Sequence, residues 1–216
     1  MLIKRIILYI FGLLVMGFGV AFSVNSDLGV TPVSSLPYVL SLMGGVSMGV
    51  VVVITNLVFI LLQFVLLGRD FKLIELTQII FSFIFGYFVD FAMMILGDFV
   101  FPAYLGQLAM MVVGTLLLTT GIVLYMKAKL VNLPPEGLAA AIATKLPGGK
   151  FHTAKVGMDS GLVVIALALS FWFLGGIYGV REGTVFAAVF IGKLIPVIGK
   201  IVDPVLRKLD FEVEDL

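Results

Sequence analysis

Cysteine is missing from this 216-residue chain, which excludes disulfides, thiol catalysis and Cys-ligated metal. Charge is scarce too, at 12% of residues, against about 25% in ordinary soluble domains. The net charge of +1 gives no basis for a nucleic-acid partner. A single histidine, His152, stands beside Lys150 and Lys155 and reads as polar surface rather than as a pH sensor. No His, Asp and Glu group has metal-ligand spacing, and no Ser-His-Asp order or phosphate-cradling Gly loop is visible. Neither metal, cofactor nor catalytic residue is therefore expected, and the chain does not read as an enzyme.

What is plentiful is apolar surface: hydrophobic residues make up 61% of the chain. That composition predicts an all-α integral membrane protein in which spans and turns consume nearly every residue. Lys4-Arg5 and the apolar run from Ile6 imitate a signal peptide. The run is too long for that and no small-residue cleavage site follows it, so a retained first span is expected.

Crossing a bilayer takes about 20 apolar residues, and six stretches qualify: 6–26, 46–68, 72–97, 103–126, 153–175 and 183–202. Two shorter stretches, 32–44 and 134–146, read as helices opened by proline, whose missing N–H does no harm in a first turn. Their length makes them re-entrant or interfacial rather than spanning. If both return to the side they left, Lys4, Arg5, Arg69, Lys72, Lys127, Lys129, Lys145, Lys150, Lys200, Arg207 and Lys208 share one face and Arg181 stands on the other. By the positive-inside rule, that face and both termini are expected to be cytoplasmic.

The chain also appears to be written twice. Gly12, Gly19, Asp27-Leu28, Thr31-Pro32 and Gly44-Gly45 are answered in order by Gly114, Gly121, Lys129-Leu130, Leu133-Pro134 and Gly148-Gly149. Later, Phe83-Ile84-Phe85-Gly86 matches Val189-Phe190-Ile191-Gly192. Three spans per copy is an odd number, so the expected fold is two inverted three-helix repeats, 1–98 and 99–202, followed by a solvated cytoplasmic tail, 203–216, that ends in the acidic run Asp210–Leu216. Gly12, Gly17 and Gly19 on the first span and Gly114 and Gly121 on the fourth suit close helix crossings. Trp172, Phe173 and Tyr178 read as interface anchors.

The segment Asn25-Ser26-Asp27-Leu28-Gly29-Val30-Thr31-Pro32, followed by Ser47-Met48-Gly49 and Asn56, resembles the bacterial YczE/YyaS/YitT family of multi-pass membrane proteins. Leu133-Pro134-Pro135, Asp159 and Gly183-Thr184-Val185 extend the resemblance over nearly the whole chain. It implies a bacterial or archaeal cytoplasmic membrane and supplies no substrate. One departure is that Val131-Asn132 stands where the first copy has Gly29-Val30, so the two turns are expected to differ in shape.

Polar residues cluster at the two short helices. Thr31 suits a cap whose oxygen accepts from the N–H of Val33 or Ser34, with Ser34 and Ser35 in the first turn. In the second copy Asn132 precedes Pro134-Pro135-Glu136, placing a carboxylate near the positive end of the helix. If these turns enter the membrane, Asn25, Asp27, Thr31, Ser34, Ser35, Asn56, Asn132 and Glu136 become candidates for holding a solute. Ionisable residues within spans add candidates for ion coupling or buried pairing. Lys155 and Asp159 are four apart on one helix face, while Asp90 and Lys193 are both expected to face inward and to pair.

Taken together, these features predict a transporter of a small polar or anionic solute, working by alternating access with lipid and solute as its partners. The alternative is a non-transporting, chaperone-like or regulatory subunit that assembles with itself or with another membrane protein.

Overall fold

The computed structural model describes residues 2–146, 148–209 and 211. Eight α-helices and no strand occur among them: α1 Leu2–Asn25, α2 Pro32–Gly44, α3 Met48–Leu67, α4 Thr77–Leu96, α5 Tyr104–Lys127, α6 Pro134–Lys145, α7 Phe151–Leu174 and α8 Glu182–Lys208. Two short 3-10 turns link α3 to α4. Six helices, all but α2 and α6, are long and apolar enough to cross a membrane. The chain is a multi-pass integral membrane protein whose spans and short helices fall where the apolar runs and the Pro-headed stretches predict them.

One boundary differs. Residues 203–208, expected to begin a solvated tail, continue α8, and Asp203 and Leu206 are buried. Of the acidic run Asp210–Leu216, all but Phe211 lies outside the described residues.

The helices group into two compact units, each drawing on both halves of the sequence. Unit 1 comprises Met1–Thr31, Phe91–Leu130 and Arg181–Leu216. Within it α1 and α5 run antiparallel in close contact. A Cβ on Gly12 would stand 2.9 Å from the Gly121 carbonyl oxygen, one on Gly19 2.5 Å from the Leu118 nitrogen, and one on Gly114 3.1 Å from the Gly19 oxygen. Only glycine permits that approach. Lipid tails are as apolar as leucine, so this kind of fit, rather than escape from water, is what holds spans together. Tyr9 and Tyr125 pack edge to face beside it, with ring centroids 5.5 Å apart. The hydroxyls of Thr115 and Thr119 donate to carbonyls one turn back, at 2.9 and 2.7 Å, so neither needs a partner outside its helix.

Unit 2 comprises Pro32–Asp90 and Val131–Val180. Its core joins Phe59 of α3, Leu138 of α6 and Leu162 of α7, flanked by Leu36, Leu66, Ile142 and Met158. The α3–α4 hairpin is clamped at both ends. At the start of α3, Gly49 and Gly86 cross so tightly that a Cβ on Gly49 would strike the Gly86 carbonyl. There Asp90 accepts from the Gly49 N–H and the Ser47 hydroxyl, each at 2.7 Å. Thus Asp90, a residue of α4, caps α3. At the other end Gln63 and Gln78, both buried, exchange amide hydrogen bonds of 3.1 and 3.3 Å. Trp172, Phe173 and Tyr178, at and beyond the end of α7, are all exposed.

Candidate functional site

In unit 2 the start of α6 is where charge gathers. Pro134 and Pro135 open the helix, and Glu136 follows in its first turn, where the helix dipole favours a carboxylate. Gln63 of α3 donates to the Pro134 carbonyl at 3.2 Å, which pins this turn in place. Gly137 lets the amide approach, since a Cβ there would lie 2.5 Å from Gln63 Oε1. From α7, Lys155 Nζ lies 3.0 Å from Asp159 Oδ1 and 3.7 Å from Glu136 Oε1. All three side chains are 21–23% exposed. The second oxygen of Glu136 is buried and, among the described residues, accepts no hydrogen bond. Two carboxylates thus share one ammonium inside a membrane-spanning bundle, an arrangement that costs several kcal/mol to bury unless paired.

The other candidates of unit 2 lie on its helices, Asn132 excepted. Asn56 is buried on α3, on the same stripe as Phe59 and Gln63. Ser35 is buried and donates to the Pro32 carbonyl at 2.7 Å, while Ser34 is half-buried. Asn132 is exposed in the loop before α6.

Within unit 1 the candidates have structural partners. Asn25 donates to the Gly97 carbonyl at 2.7 Å and to the Phe99 carbonyl at 3.1 Å, which uses both its amide hydrogens. Asp27, at φ 54°, is exposed. Its carbonyl accepts from Arg181 Nη1 at 2.6 Å, and its carboxylate lies 3.7 Å from the same nitrogen. The Gly183 N–H donates to the Leu28 carbonyl at 2.7 Å. Gly29, at φ 97°, sits so close to Arg181 and Thr184 that a Cβ would come within 2.6 Å of the Arg181 nitrogen. The Asp27–Gly29 turn is therefore docked on the first turn of α8. Thr31 is buried.

One expectation is corrected. Lys193 does not face inward: it is exposed on α8, its ammonium 6.0 Å from the Phe190 ring centroid. The buried stripe of α8, Gly183, Thr184, Ala187, Ile198, Gly199, Asp203 and Leu206, occupies another side of the helix. Asp90, the proposed partner, is engaged by Ser47 and Gly49.

Three features escaped sequence reasoning. Lys127 Nζ lies 2.8 Å from Asp203 Oδ1 with side chains only 2% and 11% exposed. The Gln63–Gln78 pair is buried, and Arg181 joins Asp27. A glutamine within an otherwise apolar run was the available signal for Gln63; Asp203 gave none, because it looked like the start of a tail.

A family model matches residues 3–200. The chain belongs to DUF6198, a family of unknown function. No curated protein and no solved structure matches this DUF6198 member. Its activity has to be argued from its own residues.

Proposed function

We propose that this DUF6198 protein is a transporter of a small polar or anionic solute in a bacterial or archaeal cytoplasmic membrane, built as two inverted repeats with both termini cytoplasmic, and a relative of the YczE/YyaS/YitT family. The observation that carries the reading is the Glu136–Lys155–Asp159 cluster beside the Pro-headed start of α6. Its ammonium has three donors, and a solute oxygen could exchange for either carboxylate on it. Asn56, on the adjoining α3 stripe, and Asn132 would complete the polar lining. The repeat reading is supported by the antiparallel α1–α5 crossing at matched glycines. It is also supported by the left-handed residues Asp27 and Lys129, which occupy matched positions. A bond of 3.2 Å from Lys4 Nζ to the Leu209 carbonyl supports placing the two termini on one side.

Screening small metabolites by thermal shift on the detergent-solubilised protein tests the site. A solute at about 100 times its dissociation constant should stabilise the native protein by about 2.7 kcal/mol, and uptake of that solute should follow in proteoliposomes. The response should vanish in the Glu136→Gln, Lys155→Met, Asp159→Asn triple variant. Persistence of binding in that variant would overturn the assignment.

One observation favours the partner-subunit reading. A Cβ on Gly157 or Gly161 of α7 would meet nothing within 4 Å, which leaves a small-residue face open for another span. Tight co-purification with a second membrane protein, together with no uptake of any solute, would decide for it.

A further inference from the structure

The two ends of unit 1 are closed by different chemistry at equivalent places in the duplicated sequence. A shift of 102 residues carries Gly12 to Gly114, Gly19 to Gly121 and Asp27 to Lys129, and it carries Asn25 to Lys127. A shift of 106 residues carries Gly86 to Gly192, and it carries Gly97 to Asp203. At the first end the last residue of α1, Asn25, holds the Gly97 carbonyl through its neutral amide at 2.7 Å. At the second end the last residue of α5, Lys127, holds Asp203 of α8 through a full ion pair at 2.8 Å. We propose that the Lys127–Asp203 pair is a separable ionic latch, and that the C-terminal third of α8, which it holds against α5, is a moving gate, whereas the Asn25 clamp is permanent.

Three observations support this. First, the pair is expensive where it stands. Closing this junction with neutral groups, as the first copy does, avoids desolvating two charges, and replacing a buried ion pair by apolar residues is often neutral or stabilising. A pair kept at such cost is explained if separation is part of its work. Apart, both groups recover hydration, and the long lysine stem lets its ammonium reach water.

Second, the segment it holds is hinged. Pro196 and Pro204 lie inside α8. Each removes an N–H, leaving the carbonyls of Gly192 and Lys200 without their helical donors. Gly192 and Gly199 add backbone freedom on either side of the first proline.

Third, the charged groups described at this end are mostly of one sign. Lys4 bonds the Leu209 carbonyl here, Lys127 pairs with Asp203, and Tyr9 packs on Tyr125, while Arg5 lies at the same end of α1 and Lys200 and Arg207 in the same last part of α8. Among the described residues of unit 1, Asp203 is the one carboxylate at this end, since Asp27, Asp98 and Glu182 belong to the other.

The inference rests on the transport reading only for what the opening would serve. Because the chain has no cysteine, spin labels can be placed at two exposed positions, Ile3→Cys on α1 and Val205→Cys on α8, without altering any native thiol. Pulsed dipolar distances are then measured in lipid nanodiscs, with Asp98→Cys and Glu182→Cys as the pair reporting the other end. The latched protein should show a dominant short distance. Lys127→Met should move the Ile3–Val205 distribution outward by about 5 Å, one helical turn, or more, and the swap Lys127→Asp with Asp203→Lys should bring it back. The Asp98–Glu182 distance should stay fixed throughout. If Lys127→Met fails to fold, the milder pair Lys127→Gln with Asp203→Asn, which keeps a hydrogen bond but not the charges, should leave only the short distance. An unmoved distribution in Lys127→Met, a swap that does not restore it, or a long population in the neutral pair would overturn the latch. Solute uptake is read separately in liposomes, so failure of transport and failure of the latch are told apart.

Discussion

Asp27 and Lys129 are the only non-glycine residues with positive φ among those described, at 54° and 50°. The left-handed region costs an ordinary residue about 1–2 kcal/mol, so two such residues at matched places mark turns whose path outweighs local preference. Glycine works the other way, permitting contact rather than an unusual backbone. Gly49→Ala should destabilise the protein by about 1–3 kcal/mol, because its methyl would strike the Gly86 carbonyl. Gly157→Ala, inside α7 with open space at the same atom, should leave stability unchanged or raise it by up to about 1 kcal/mol. Thermal unfolding of the two variants in one detergent checks the contrast. The glycine crossings were legible because only close packing explains small residues repeated along an apolar span. Partner choice was not. A polar group in a span must find a partner, but spacing alone did not reveal that Lys127 meets Asp203 or that Lys193 turns outward.

At the scale of the element, the two short helices were the most readable features, since their prolines fix where each starts. What the sequence left open was how a start is held, and Gln63 supplies that answer by gripping both Gln78 and the Pro134 carbonyl. Replacing either glutamine alone by leucine removes both bonds of the pair, at about 1–3 kcal/mol, while Gln63 keeps the Pro134 carbonyl or Gln78 keeps Glu75. The double replacement should cost less than the two singles together, giving a coupling of about 0.5–2 kcal/mol. A cycle of the four proteins measured by chemical denaturation tests this, and additive effects would show that the amides act independently. The resemblance of the two turns before α2 and α6 was predicted to be incomplete. Gly29 indeed takes φ 97°, whereas its counterpart Val131 is not among the residues with positive φ.

For the whole molecule, composition and the distribution of lysine and arginine predicted the membrane class, the number of spans and an orientation. The first two are present in the structure; the last is open to a direct test. Single cysteines introduced at Leu2, Lys208 and Glu182 should react with a membrane-impermeant maleimide in two groups. Leu2→Cys and Lys208→Cys should be labelled only from the cytoplasmic side and Glu182→Cys only from outside. Labelling of the two end positions from opposite sides would remove the odd-span repeat and with it the alternating-access reading. The Gln63–Gln78 pair bears on biogenesis as well. Neither amide is at ease in hydrocarbon alone, and the two bond each other once α3 and α4 lie side by side, with Glu75 and the Pro134 carbonyl as their further acceptors. A hairpin inserted as one piece would therefore enter lipid with its two amides already joined, and the arrival of α6 would add the last acceptor that Gln63 holds.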